Sequence, residues 1–156
     1  MSTRNILDAV PELQTKIPLI IVDYAKLYPD RILKIICVLR STKEQQALYA
    51  LGRTDGSDHI VTQIDGVTKF SKHNPDPVEP KSKAIDFGVF VGGKYITRDF
   101  YYYPLLDLAR KYNLVSGIDF DRTGLPLQGC LSRKGFKDPP HIEVPGPIYV
   151  PKKIGT

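Results

Sequence analysis

Apolar side chains recur at steps of three and four near the start of the chain: Ile6, Leu7, Val10, Leu13, Ile17, Ile20, Ile21 and Tyr24. That period predicts helix over residues 5–28, with Pro11 and Pro18 making it two helices or one kinked helix, ended at Pro29-Asp30. Residues 32–39 form a short run rich in β-branched side chains, the pattern of a buried strand. Ser41-Thr42-Lys43-Glu44 has the form of a capping box, so a helix is predicted from there to about residue 51, with Gly52 as its C-cap. A loop follows over 53–57, then a hairpin or irregular strands around Asp65-Gly66 within 59–70. Residues 74–82 hold three prolines and mixed charges and predict an exposed loop.

The run from Ala84 to Val91 alternates as a strand does. Ala84, Asp86 and Gly88 fall on one face, and Ile85, Phe87, Val89 and Val91 on the other. Gly92-Gly93 predicts a hairpin turn into a return strand over 94–97. An amphipathic helix is predicted over 100–112, with Leu105, Leu106, Leu108, Ala109 and Tyr112 inward and Asn113 closing it. Short strands are expected at 115–120 and 141–144, and 124–135 is rich in turn formers. The Pro-rich stretch 145–156 reads as an extended arm on the body. No internal repeat or linker interrupts the chain, so the prediction is one α+β domain over residues 1–156.

Composition narrows the partners more than the fold. The 156 residues are enough for one core, and no apolar run approaches the roughly 18 needed to span a bilayer, so no membrane insertion is expected. Residues 1–5 lack the pattern of a secretion signal, so a protein acting outside the cytoplasm would be expected to leave by another route. The net charge of +5 favours anionic partners, but no block of like charge appears, and a nucleic-acid partner is not expected. Cys37 and Cys130 make no CxxC pair and read as free thiols, and a monomer is expected.

The candidate chemistry lies in two short segments. The chain has three histidines, and two of them sit in Ser71-Lys72-His73 and Asp138-Pro139-Pro140-His141-Ile142-Glu143. Asp86 lies on the strand that leaves the first segment, and a late strand paired beside it would bring His73, Asp86 and His141 together. Two imidazoles and one carboxylate form a common zinc set with one position left open; plain surface residues are the alternative. Two prolines stiffen the path from Asp138 to His141, so Asp138 either caps a turn or stands as a proton carrier beside the ion. Glu143 is either a hydrogen-bond partner of a ligand imidazole or a surface residue. His59 reads as a loop histidine. Tyr101-Tyr102-Tyr103 either anchors a helix start or stacks on sugar rings.

Four fragments in order carry a family likeness: Arg40-Ser41-Thr42-Lys43-Glu44-Gln45, Leu48-Tyr49-Ala50-Leu51-Gly52-Arg53-Thr54, Ser71-x-His73 with Ala84-x-Asp86, and Asp138-x-Pro140-His141-x-Glu143. They resemble the zinc peptidases of bacterial cell-wall metabolism, the superfamily of D-alanyl-D-alanine carboxypeptidases and vancomycin-resistance dipeptidases. The likeness is greatest to phage endolysins that cut the L-alanyl-D-glutamate bond of peptidoglycan stems. The resemblance implies a small antiparallel sheet with helices packed on one side and a zinc cleft on the sheet. It implies zinc on His73, Asp86 and His141, Asp138 as catalytic acid/base, and substrate contacts from Arg40, Gln45 and Ser71, with Arg40 also supporting the oxyanion. Release of a terminal D-alanine, or a zinc-containing wall-binding module without catalysis, are the other functions it allows. Read without the likeness, Arg40 could equally be a salt bridge at a strand end, Gln45 a solvated residue and Ser71 a turn cap. One departure from the family stands out: His73 and Asp86 are 13 apart, where the family spacing is seven with a glycine between.

Overall fold

The computed structural model describes residues 1–54, 56, 59–75 and 78–146, so most of the predicted C-terminal arm lies outside the described residues. Its centre is β2 (Ala84–Val91), the alternating strand, which pairs antiparallel along one edge with β1 (Arg31–Cys37). The other edge of β2 is shared: β5 (His141–Glu143) pairs with Ala84 to Asp86, and β3 (Lys94–Ile96) pairs with Val89 to Val91 across the Gly92-Gly93 turn. The two-residue β4 (Val115–Ser116) continues the sheet beyond β5.

The predicted faces of β2 hold. Ile85, Phe87 and Val89 are fully buried under α1 (Pro11–Leu27) and α3 (Pro104–Lys111), where they meet Leu13, Ile17, Ile20, Leu105 and Ala109. The sheet is therefore covered by these two helices on the face that carries Ile85, and Asp86 is turned away from them. Burying these side chains, at about 1.5–3 kcal/mol each, supplies the main drive for this packing. Tyr24 and Tyr102 can join the core because their hydroxyls donate to carbonyls, to Tyr101 O at 2.8 Å and Ile96 O at 2.6 Å. Tyr102 is thus the member of the tyrosine run that anchors the entry to α3.

Several boundaries differ from the prediction for local reasons. Residues 6–8 form a separate 3-10 turn capped by the Asn5 side chain, and α1 begins with Pro11 in its first turn, where a missing N–H costs nothing. Pro18 sits inside α1 without ending it. Residues 99–101 are likewise a 3-10 turn ahead of α3. The expected strand over 115–120 stops at Ser116, whose side chain accepts from Ile118 N and opens a 3-10 turn. The turn-rich stretch hides α4 (Leu127–Ser132), which packs Cys130 against Leu106 and Ile118. No strand forms over residues 59–70: the Asp65 carboxylate accepts from the N–H groups of Val67, Thr68 and Lys69 and closes a tight turn instead. Both cysteines are free and buried. No helix among the described residues is long and apolar enough to cross a membrane.

Candidate metal centre

The strand register brings the distant motifs together. Asp86 stands opposite His141 on β5 and opposite Cys37 on β1, so the three lie abreast across the sheet. Cys37 reaches that row because the register of β1 shifts between Ile35 and Cys37. His73 arrives from a loop. Its carbonyl accepts from Arg40 N at 2.8 Å, and the turn that presents it is closed by Asn74, which accepts from Ser71 N and donates to the Arg40 carbonyl.

The long His73-to-Asp86 spacing is taken up by a loop with pinned ends. Lys83 N donates to Lys72 O at 2.8 Å, and Ser82 exchanges backbone hydrogen bonds with Asp8 and Val10 at the start of α1. Asn74 and Ser82, at the ends of the stretch expected to be exposed, are buried. The ligand candidates are therefore held from both ends of the long spacing.

The imidazole hydrogen bonds set which nitrogens face inward. His73 Nδ1 lies 2.8 Å from the Val38 carbonyl, which requires an N–H there and leaves Nε2 with a bare lone pair. His141 Nε2 lies 2.9 Å from a Glu143 carboxylate oxygen, so its proton sits there and Nδ1 is bare. These two inner nitrogens are 3.2 Å apart, and each lies close to Asp86 Oδ1, at 3.1 Å from His73 and 3.0 Å from His141. Three acceptors converging in this way repel one another unless a cation sits among them. Ligands at about 2.0–2.1 Å from a tetrahedral ion are roughly 3.3 Å apart, so the donor set fits a divalent metal.

The same inner nitrogens also attract protons, so a metal ion and protonation compete for them. Burial raises the Asp86 carboxyl, but the adjacent imidazoles outweigh it and hold it well below the ordinary range. Burial pushes both imidazoles down, and the Asp86 charge with its hydrogen bonds reverses that for His73 and His141. Arg40 donates to Asp86 Oδ2 at 3.4 Å, leaving Oδ1 to face the imidazoles, and also to Gln45 Oε1 at 3.1 Å. Gln45 is buried and donates to the Ile64 carbonyl at 2.8 Å. Ser71 accepts from His73 N at 3.2 Å, a turn contact, while lining the cleft. Glu143, left open by the sequence, is buried against His141 and receives the buried Lys72 ammonium at 2.9 Å.

Asp138 completes the group. It, Asp86 and His141 offer atoms within 4.8 Å of one another. Burial, and next the negative charge of Asp86, push its carboxyl above the ordinary value. Its backbone is clamped: Asp138 N donates to Gly117 O, and its carbonyl accepts from His141 N, both at 3.0 Å. These groups sit in a cleft of about 740 Å³ that is also lined by Leu48, Ile64, Phe120, Lys134 and Phe136. Phe120 packs on the His141 ring at 5.3 Å and stacks on Phe136 at 6.0 Å. His59 is exposed.

Sequence reasoning gave no role to Lys72, Asn74, Cys37 or Gly117. Lys72 had a readable signal, since a lysine beside a ligand histidine needs a carboxylate partner if buried, and Glu143 was on hand. Gly117 had none, because its importance lies in a contact between segments. Cys37 Sγ lies 3.8 Å from His73 Nδ1, on the side of the ring away from the inner nitrogen, and takes a contact from Arg40 at 3.5 Å.

No family model matches the chain, and no curated protein matches it. Among solved structures, the fold is similar to that of the Serratia marcescens L-Ala D-Glu endopeptidase ChiX, with a TM-score of 0.54 and 16% sequence identity over 93% of this chain and 89% of that one. At that identity the likeness shows the fold, an α+β domain with an antiparallel sheet.

Proposed function

We propose that the chain is a zinc-dependent peptidase of bacterial cell-wall peptide, hydrolysing the L-alanyl-D-glutamate bond of peptidoglycan stems. The observation that carries this reading is the convergence of His73 Nε2, His141 Nδ1 and Asp86 Oδ1, each 3.0–3.2 Å from the next, with Asp138 beside them. The fold shared with an L-Ala D-Glu endopeptidase supports a wall-peptide substrate. His73, Asp86 and His141 would hold the metal, and Glu143 and Lys72 would keep His141 in its tautomer. Zinc, when bound, supplies Lewis acidity toward water and the scissile carbonyl.

Asp138 acts as the proton carrier. Its carboxylate takes a proton from the attacking water as the new C–O bond forms, then gives that proton to the leaving nitrogen as the C–N bond breaks. A carboxyl raised by burial suits both halves of that task, because it holds the proton between the two steps. Arg40 keeps Asp86 oriented and stands at the edge of the cleft as a donor for the developing oxyanion. Gln45 and Ser71 line the same cleft as substrate contacts.

The test is mass spectrometry of purified peptidoglycan after digestion, with zinc measured on the same protein. The expected result is fragments with a newly freed D-glutamate amine and one zinc per chain. Release of D-alanine alone would move the chain to a carboxypeptidase, and binding to wall without any new amine would make it a non-catalytic module.

A further inference from the structure

The cleft is lined by stretches of different character. From α2 (Thr42–Ala50) and the loop after it come the apolar Leu48, Val61 and Ile64; from the stretch after α4 come Arg133, Lys134 and Lys137. Arg40, Lys72 and Arg133 are each engaged with carboxylates of the protein: Asp86, Glu143, and Asp119 with Asp121. Lys134 and Lys137 have no acidic partner among the described residues, and Lys134 is exposed. They flank Phe136, whose ring stacks on Phe120 and so ties this stretch to the wall beside His141. Lys137 directly precedes Asp138 and lines the same cleft.

Resting on the wall-peptidase reading above, we infer that Lys134 and Lys137 select substrates with a free carboxylate on the carbon that bears the leaving amine. In a stem peptide joined through the γ-carboxyl of D-glutamate, that group is the free α-carboxylate of the residue after the scissile bond. The small side chain of the preceding alanine suits the apolar lining. Where the wall carries an α-carboxamide instead, the two ammonium groups lose the carboxylate that would pair with them.

The test uses the metal-loaded full chain and two tripeptides, L-Ala-γ-D-Glu-L-Lys and its α-carboxamide. The wild type is expected to favour the free acid by about tenfold or more in kcat/KM, as hydrogen bonds to a charged group imply. The preference should shrink as salt is raised. In the double variant Lys134→Gln/Lys137→Gln the ratio should fall to within about twofold. Calorimetric binding of both tripeptides to Asp138→Asn protein, with and without the lysine changes, gives a readout that needs no turnover. Equal cleavage of the two by the wild type, or a preference that survives the double variant, overturns the inference and leaves the peptidase reading intact. Selective binding lost in the double variant, with no turnover in the wild type, supports the inference and removes the peptidase reading. Equal binding and no turnover removes both.

Discussion

At the scale of single residues, Gly117 sets the position of Asp138. A Cβ built on Gly117 would lie 2.0 Å from the Asp138 carbonyl oxygen and 3.0 Å from the His141 Cβ, so even alanine must push that backbone away. Gly117→Ala is therefore expected to lower kcat by on the order of 100-fold, the cost of misplacing a proton carrier by about an ångström. Metal content should change less than kcat, because His73 and Asp86 are untouched and the contact with the third ligand, His141, is the milder one at 3.0 Å. A variant with full kcat would show that Asp138 does not depend on that contact. Lys72 presents a second residue-scale case. It is a buried cation beside a buried carboxylate that Arg122 approaches only at 3.6 Å, so removing Lys72 takes away the nearer counter-charge. Lys72→Met should weaken zinc binding by roughly 10- to 100-fold, as loss of support behind a metal ligand does, read by competition with a chelator. Unchanged affinity would reduce the pair to a packing feature.

At the scale of elements, the short-range signals were the readable ones. The capping box is present as expected, with Ser41 accepting from Glu44 N and the Glu44 carboxylate accepting from Ser41 N. The alternation over β2 named its buried face correctly. What escaped was set by contacts across the chain: the clamped ends of the 74–83 loop, the side-chain turn at Asp65, and α4, a six-residue helix with too few turns to leave a periodic trace. The stretch leading to α4 is held by Asp119, which receives Arg110 and Arg133 at 3.0 and 3.1 Å. Burial raises the Asp119 carboxyl, but the two arginines outweigh it and bring it down to about 2 from 3.8. A carboxyl depressed on folding stabilises the native state above its unfolded pKa, and that share is lost as pH falls from about 4 to about 2. Acid unfolding followed by circular dichroism should steepen in that window, and Asp119→Asn should flatten it. An identical slope in both proteins would mean that the cluster does not contribute.

At the scale of the whole molecule, the sheet is the device that makes the site. Asp86 and His141 are 55 residues apart in the chain, and they meet because β5 pairs antiparallel with the first half of β2 in the register that sets them opposite. The likeness of four short fragments to a peptidase family named the three candidate ligands, but spacing alone could not fix that pairing, nor show which nitrogen of each imidazole faces inward. Those depend on the Val38 carbonyl and the Glu143 carboxylate, neither of which has a sequence signature as a partner. The arrangement also leaves a competitor, since Cys37, His73 and Asp86 offer a second set of atoms within 4.8 Å. X-ray absorption at the zinc edge of the purified protein decides between them. A site built from His73, Asp86 and His141 should give a shell of nitrogen and oxygen only, at about 2.0–2.1 Å, with two imidazoles and no sulfur. A sulfur neighbour at about 2.3 Å, or a protein that binds no zinc, would contradict it.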